Sequence, residues 1–351
     1  MTYYAFASDN AAGASGPVLA ALVEANAGEA AAYGEDALSQ QLDAAFSAYF
    51  RRTVRVFVAP TGTAANALAL AALVPPYGDI LCHGQAHVLT TECGAPEFLA
   101  GGARLTPLPG GADRIAPAVL AAALAARPAN RHRRPARALT LTQATEAGTL
   151  YTPEELAEIA GIARTHGLRL HMDGARFGNA LAALGCAPAA LSWQAGIDIL
   201  SLGTTKNGTL NAEAVVVFDP ALAEDVAYRH KQAGMLTSKM RFVAAQLLAY
   251  LRDDHWLANA AHANAAAARL ARALGATPGC RLLHPVQTNQ VFAEIASTVQ
   301  ARLERHGIRL RRWGAGADTF RLVCSFATTA AQLDGFAAAL QQEAGAAAGA
   351  D

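Results

Sequence analysis

Residues 168–176 read LRLHMDGAR, and residues 198–208 read DILSLGTTKNG. Each opens as a short apolar run of strand character and ends in polar residues at a turn: Asp173 and Arg176 in the first, Thr204, Thr205 and Lys206 in the second. Similar runs at 54–58 (VRVFV), 79–82 (DILC), 103–108 (ARLTPL), 137–142 (RALTLT) and 213–218 (EAVVVF) bring the set to seven. Helical stretches at 64–74, 117–127 and 153–166 alternate with them. The last of these carries its own boundaries: Thr152 before Pro153, acidic Glu154 and Glu155 in the first turn, and Gly167 at the end. Strand–helix alternation of this kind predicts an α/β fold, a mostly parallel seven-stranded sheet between layers of helices. Such sheets bind ligands beyond the carboxyl ends of their strands, so the loops there are where chemistry is sought.

The pattern changes after residue 219. Two long helical runs, 237–251 and 255–274, are followed by strand-like 288–295, helical 297–306, strand-like 307–313 and 319–326, and a helical run at 329–344. The expectation is a large domain over residues 1–245 and a small C-terminal α+β domain over 246–351. With 53% hydrophobic and 16% charged residues, the 351-residue chain has ample core and does not resemble a disordered one. Its 28 basic and 28 acidic side chains cancel, which disfavours nucleic acid as a partner. There is no long uncharged apolar run and no basic leader, so a cytoplasmic protein with no membrane partner is expected. Five scattered cysteines without a CxxC suggest neither a disulfide framework nor a metal centre.

Four features follow predicted strands. Pro60-Thr61-Gly62-Thr63 opens a helix with glycine and hydroxyl residues. This is either a phosphate-binding helix N-terminus or an ordinary turn capped by threonine. Asp173 and Arg176 close the strand at 168–173 as a helix cap, an ion pair or ligand contacts. Lys206 follows the strand at 198–203. Lysine occurs only three times, at Lys206, Lys231 and Lys239, against 25 arginines. Only lysine offers a side-chain amine that can bond to a carbonyl carbon, because a guanidinium stays protonated. His83 and His87 lie four apart, but Gly84 interrupts them and HExxH is absent, so a ring stacked on a ligand is a better reading than a metal pair. In sequence order these are a phosphate turn, a stacking histidine, an aspartate and, 33 residues later, a lysine. Those are the parts that a pyridoxal 5'-phosphate enzyme needs.

Together, SDN at 8–10, PTGT at 60–63, HMDGAR at 171–176 and TTKNG at 204–208 resemble the L-threonine aldolases. These are fold type I pyridoxal phosphate enzymes of the β-eliminating lyase-like group. The resemblance runs from Ser8 to about Phe326. It implies retro-aldol cleavage of L-β-hydroxy-α-amino acids to glycine and an aldehyde, in a homodimer or homotetramer with active sites at subunit interfaces. It also implies roles. Lys206 matches the lysine that bonds the cofactor, Asp173 the partner of the pyridine nitrogen, and His87 the stacked histidine. Gly62 and Thr63 match the phosphate turn, and Thr205 the hydroxyl neighbour of the lysine. Ser8, Arg176 and Arg321 match contacts to the substrate carboxylate, Arg176 also approaching the cofactor, and Tyr33 matches a tyrosine at the rim. Arg241 or Lys239 is placed near a neighbouring subunit's phosphate. Where many relatives carry a histidine after the strand near 142, this chain has Glu146, and Asn-Gly follows the lysine. Both features resemble the low-specificity branch that includes phenylserine aldolases. His87 and then Glu146 are the candidates for the base at the β-hydroxyl. Another lyase of the same fold, and a non-catalytic α/β ligand-binding protein, are the rival readings.

Overall fold

The computed structural model describes residues 5–127, 130–314 and 316–341. Seven strands, β1 (Arg55–Ala59), β2 (Asp79–His83), β3 (Arg104–Leu108), β4 (Ala136–Thr142), β5 (Arg169–Gly174), β6 (Ile199–Leu202) and β7 (Glu213–Val217), form one sheet. Their order is β1-β7-β6-β5-β4-β2-β3. Strands β2 to β6 pair in parallel, while β7 runs antiparallel to both neighbours. Every residue of β2, β6 and β7 is buried, as a sheet covered on both faces requires. The predicted α/β architecture is therefore the one observed.

Helix Gly62–Leu73 follows β1 and is buried almost all round, from Ala65 to Ala71. Its alanines let it lie close to the sheet. Asn66 is the one polar side chain in that buried run. Helix Pro153–Thr165 has the start that its sequence indicates, with Thr152 Oγ1 accepting from Glu155 N–H at 3.2 Å and Glu155 Oε2 accepting from Thr152 N–H at 2.9 Å. Gly167 ends it with φ +71°.

Beyond the large sheet, β8 (Cys280–Leu282), β9 (Gln290–Ile295) and β10 (Thr319–Val323) form an antiparallel sheet in the order β10-β9-β8. It has a core of its own, in which Leu270, Val291, Phe320, Leu322 and Phe336 pack. The sequence reading misses β8, which is only three residues long. It also predicts a strand at 307–313 that the structure does not form. Ile308 and Leu310 do pack on the small core, so the alternation is real. Among the described residues no strand pairs with the segment: Ala5 N–H donates to Arg309 O at 2.9 Å, and Arg312 makes an isolated bridge to Phe320. The helix expected at 329–344 is described as Ala330–Gln341, its last residues lying outside the described part. Residue 245 falls inside helix Arg241–Leu251, whose Leu247, Tyr250 and Leu251 pack in the core of the large sheet. No helix among the described residues is long and apolar enough to cross a membrane.

Candidate active site

A cavity of about 390 Å³ opens at the carboxyl ends of β1, β5 and β6, and Gly62, Thr63, His87, Asp173, Thr205 and Lys206 all line it. On one side stands the N-terminus of helix Gly62–Leu73. Thr61 caps it, its Oγ1 accepting from Ala64 N–H at 3.1 Å. The N–H groups of Gly62 and Thr63 have no acceptor inside the helix and are left for a ligand. A Cβ added at Gly62 would meet nothing within 4 Å, so the approach to this turn is open.

Asp173, the next-to-last residue of β5, is buried to 3% exposure. Its Oδ1 accepts from Ala175 N–H at 3.0 Å and its Oδ2 from Asn66 Nδ2 at 2.9 Å. The same Asn66 nitrogen donates to Glu92 Oε1 at 2.8 Å, and Glu92 Oε1 lies 2.7 Å from His87 Nδ1. One amide thus bridges two buried carboxylates, and a histidine closes the chain. The hydrogen bond that His87 donates to Glu92 raises the His87 pKa against the opposing effect of burial. Burial, reinforced by the Asp173 charge, raises that of Glu92. Histidine and the two carboxylates offer ligand atoms within 4.8 Å of one another. The Asn66 amide already donates to both carboxylates, which is the geometry of a hydrogen-bonded chain.

Lys206 sits in the tight turn Thr205–Asn207 just past β6. This turn is held from both sides. Glu213, the first residue of β7, accepts from Thr204 N–H at 2.5 Å. Asn207 Nδ2 donates to Tyr250 Oη and to Trp256 O, both at 2.8 Å. Gly208 has φ +127°, and a Cβ there would come within 2.8 Å of Asn259 Nδ2. The Asn-Gly after the lysine is thus an anchor and a required glycine. Burial raises the Glu213 pKa, opposed by the Thr204 N–H, by Thr205 and by the Lys206 charge.

Arg176, 7% exposed, forms a two-pronged pair with Asp9, Nε to Oδ2 at 2.8 Å and Nη2 to Oδ1 at 3.0 Å. Asn289 Nδ2 also donates to Asp9, at 3.0 Å. Burial works to raise the Asp9 carboxyl. The charges of Arg176 and Lys206 and the two hydrogen-bonded partners outweigh it and hold the group below its usual value. Arg321, on β10, lies over the Trp313 ring at 4.2 Å. Burial first, and then the like charge of Arg176, lower it to about 10. Glu146 is within electrostatic reach of Asp173, Arg176, His87 and Lys206; burial, then Asp173, raises its pKa.

Other expected residues lie elsewhere. Ser8 caps the short turn Asp9–Ala11, its Oγ accepting from Asn10 N–H at 3.1 Å, and lines a separate small cavity with Phe6 and Thr328. Tyr33 is 52% exposed, with Lys231 Nζ over its ring at 4.8 Å. Arg241 donates to Gly28 O at 3.2 Å, and Lys239 is exposed. His83 is buried, with Nε2 3.2 Å from Gly110 O. Sequence reasoning missed Asp9 as the partner of Arg176, and also Glu92, Glu213 and Asn289. The one available signal was at Asn66, a polar residue in an alanine–leucine helix.

The donor set suits pyridoxal phosphate. The cavity offers an amine, a carboxylate fixed by two hydrogen bonds and able to accept from a ring N–H, an imidazole at the wall, and an open helix N-terminus for a phosphate.

Residues 5–298 match the profile of the family described as Beta-eliminating lyase. The chain is 45% identical over 323 residues to a protein of Pseudomonas aeruginosa named low specificity L-threonine aldolase, covering 92% of this chain and 93% of that one. It is 42% identical over 333 residues to a protein of the same name from Pseudomonas sp. strain NCIMB 10558, covering 95% and 96%. Among solved structures, threonine aldolase of Leishmania major superposes with a TM-score of 0.89 at 27% identity, covering 96% of this chain and 98% of the other.

Proposed function

We propose that this chain, which belongs to the β-eliminating lyase family and within it to the L-threonine aldolases, cleaves L-threonine by a retro-aldol reaction using pyridoxal 5'-phosphate. L-allo-threonine and L-phenylserine are proposed as further substrates, with glycine and the corresponding aldehyde as products. The observation that carries this reading is the convergence of Lys206, Asp173, His87 and the Gly62–Leu73 helix N-terminus on one cavity.

Pyridoxal phosphate, when bound, supplies a conjugated sink for the electron pair left at Cα. Lys206 would hold the cofactor through its side-chain amine. The Gly62 and Thr63 N–H groups receive its phosphate, with Thr205 beside the lysine. Asp173 would accept from its ring N–H and keep that nitrogen protonated, and His87 would pack against the ring. Arg321 and Arg176 would hold the substrate carboxylate and so orient the Cα–Cβ bond for cleavage. Ser8, whose neighbour Asn10 lines the cavity, is proposed as a contact to the bound substrate. His87, with Glu146 as second candidate, accepts the β-hydroxyl proton as the Cα–Cβ bond breaks and the aldehyde leaves. A proton returned to Cα completes glycine.

A homodimer or homotetramer is part of the proposal, with Tyr33 and one of Arg241 and Lys239 facing a neighbouring copy's site. Leu210 lines the cavity yet is 55% exposed, which fits a wall completed by another subunit. The division into residues 1–245 and 246–351 and the cytoplasmic location are likewise proposed.

The test is an absorbance spectrum of the protein with pyridoxal phosphate, before and after L-threonine and L-phenylserine, with aldehyde, glycine, pyruvate and ammonia assayed together. A visible band with aldehyde and glycine is expected. Pyruvate and ammonia would move the reaction to β-elimination, and no band would remove the cofactor.

A further inference from the structure

We propose that Glu92 is a positioning residue for His87, and that Asn66 couples the pair to Asp173. The inference rests on the placement of His87 in the reaction proposed above. The Glu92 side chain is wholly buried, whereas that of His87 is 37% exposed and lines the cavity. A buried carboxylate is costly unless it is paired and hydrogen-bonded. Glu92 meets that requirement through one oxygen, which faces both His87 Nδ1 at 2.7 Å and Asn66 Nδ2 at 2.8 Å.

The chain geometry brings Glu92 to this place. His87 opens a single helical turn, His87–Thr90, after β2. Cys93 and Gly94 then take positive φ, +54° and +74°, before the next helix at Ala95–Leu99. Glu92 stands just before that reversal.

With Nδ1 donating to Glu92, Nε2 is the nitrogen free to accept a proton. Glu92 thereby fixes both the ring plane and the tautomer that a base at the β-hydroxyl needs. Asn66 uses its two amide hydrogens on Glu92 and on Asp173, and so separates two carboxylates that would otherwise repel. Loss of the Glu92 charge should therefore be felt at the histidine and, more weakly, at Asp173. The titratable groups facing His87 are Glu92 from its own segment, Asp173 from β5 and Glu146 from the loop after β4. Lys206 lines the same cavity.

The experiment follows the ring titration of His87 by NMR in full-length, cofactor-loaded enzyme, assigned by its loss in His87→Asn. Glu92→Gln and Glu92→Asp are compared with the parent, with kcat and KM for L-threonine measured against pH on the same samples. The parent midpoint should lie above the ordinary histidine value. In Glu92→Gln it should fall by about one unit, a tenfold loss of proton affinity, and Glu92→Asp should recover part of the shift. Because the base must be unprotonated, the acid limb of the kcat profile should move to lower pH with the midpoint, while KM changes less. An unshifted His87 midpoint in a folded Glu92→Gln protein would overturn the proposal, as would a lower kcat with an unmoved profile. If Glu92→Gln does not fold, a parent midpoint at or below the ordinary value overturns it equally. Absence of aldehyde from the parent enzyme would defeat the aldolase reading instead, and the ring titration would still decide the pair.

Discussion

Arg176 and Asp9 face each other through two parallel hydrogen bonds, at 2.8 and 3.0 Å, in a buried setting 167 residues apart in sequence. The pair leaves Arg176 with its charge matched. Arg321 differs: it rests on the Trp313 ring and has no carboxylate partner among the described residues. Arg321, within electrostatic reach of Arg176, Asp9 and Glu146, is therefore an unmatched guanidinium beside the site, and a substrate carboxylate is proposed as its counter-charge. Loss of a charge-assisted hydrogen bond costs about 1.5–3 kcal/mol. Arg321→Ala should thus lower kcat/KM for L-threonine by roughly 10- to 100-fold, mostly through KM. Steady-state kinetics check this, and unchanged KM would remove Arg321 from the substrate site.

Asp9 carries a second prediction, about stability. Its removal strands a buried guanidinium and frees Asn289 Nδ2 from one acceptor. Breaking a buried pair from one side costs about 3–5 kcal/mol. Asp9→Ala should lose that much in urea denaturation, and Asp9→Asn should lose less because it can still accept. A double variant, Asp9→Ala with Arg176→Met, should recover part of the loss. If the single variants were as stable as the parent, the pair would not tie the N-terminal segment to the sheet.

His171 makes acid stability testable. It is fully buried on β5, with Nδ1 2.8 Å from Thr140 Oγ1 and Nε2 2.9 Å from Ser201 Oγ. Burial pushes its pKa down to about 4, against 6.5 when free. Below pH 6.5 the unfolded chain binds a proton that the folded chain refuses until about pH 4. Stability is thus fully present above 6.5 and declines through that window, by about 3 kcal/mol at most. His171→Gln keeps a donor and an acceptor but does not titrate. Its urea midpoint should change less than the parent's between pH 7 and 4.5, and parallel curves would contradict the assignment.

How far these features could be read from the sequence depends on their range. The central strands of the large sheet were legible because burial on both faces makes them short apolar runs, as in EAVVVF at 213–218. Thr152 and Glu155 were legible because a capping box is local. Lys206, Asp173, His87 and Gly62 follow strands, where ligands of parallel sheets gather. Glu92 was not legible, because its partner Asn66 is 26 residues away and no spacing rule joins them. Asp9 was seen as part of an SDN motif, but its bond to Arg176 exists only in three dimensions. The segment at 307–313 misled because alternation reports which side faces the core and not whether the backbone is paired; among the described residues only Arg312 forms a bridge.

Lys206 permits the sharpest separation of structure from chemistry. The turn that carries it is held by neighbours: Glu213 at Thr204 N–H, Asn207 at Tyr250 and Trp256, and Asn259 Nδ2 donating to Asn207 O at 2.9 Å. None of these bonds uses the lysine side chain, which is only partly buried. Lys206→Ala should therefore melt within a few degrees of the parent, corresponding to less than about 1 kcal/mol. The same substitution removes the amine that bonds the cofactor, so the visible band and turnover should both vanish. Lys206→Arg keeps the charge but lacks a nucleophilic amine, and it should fail in the same way. Thermal melts, absorbance spectra and aldehyde release on the three proteins check this together. A folded Lys206→Ala protein that retained band and turnover would show that the amine belongs to another residue.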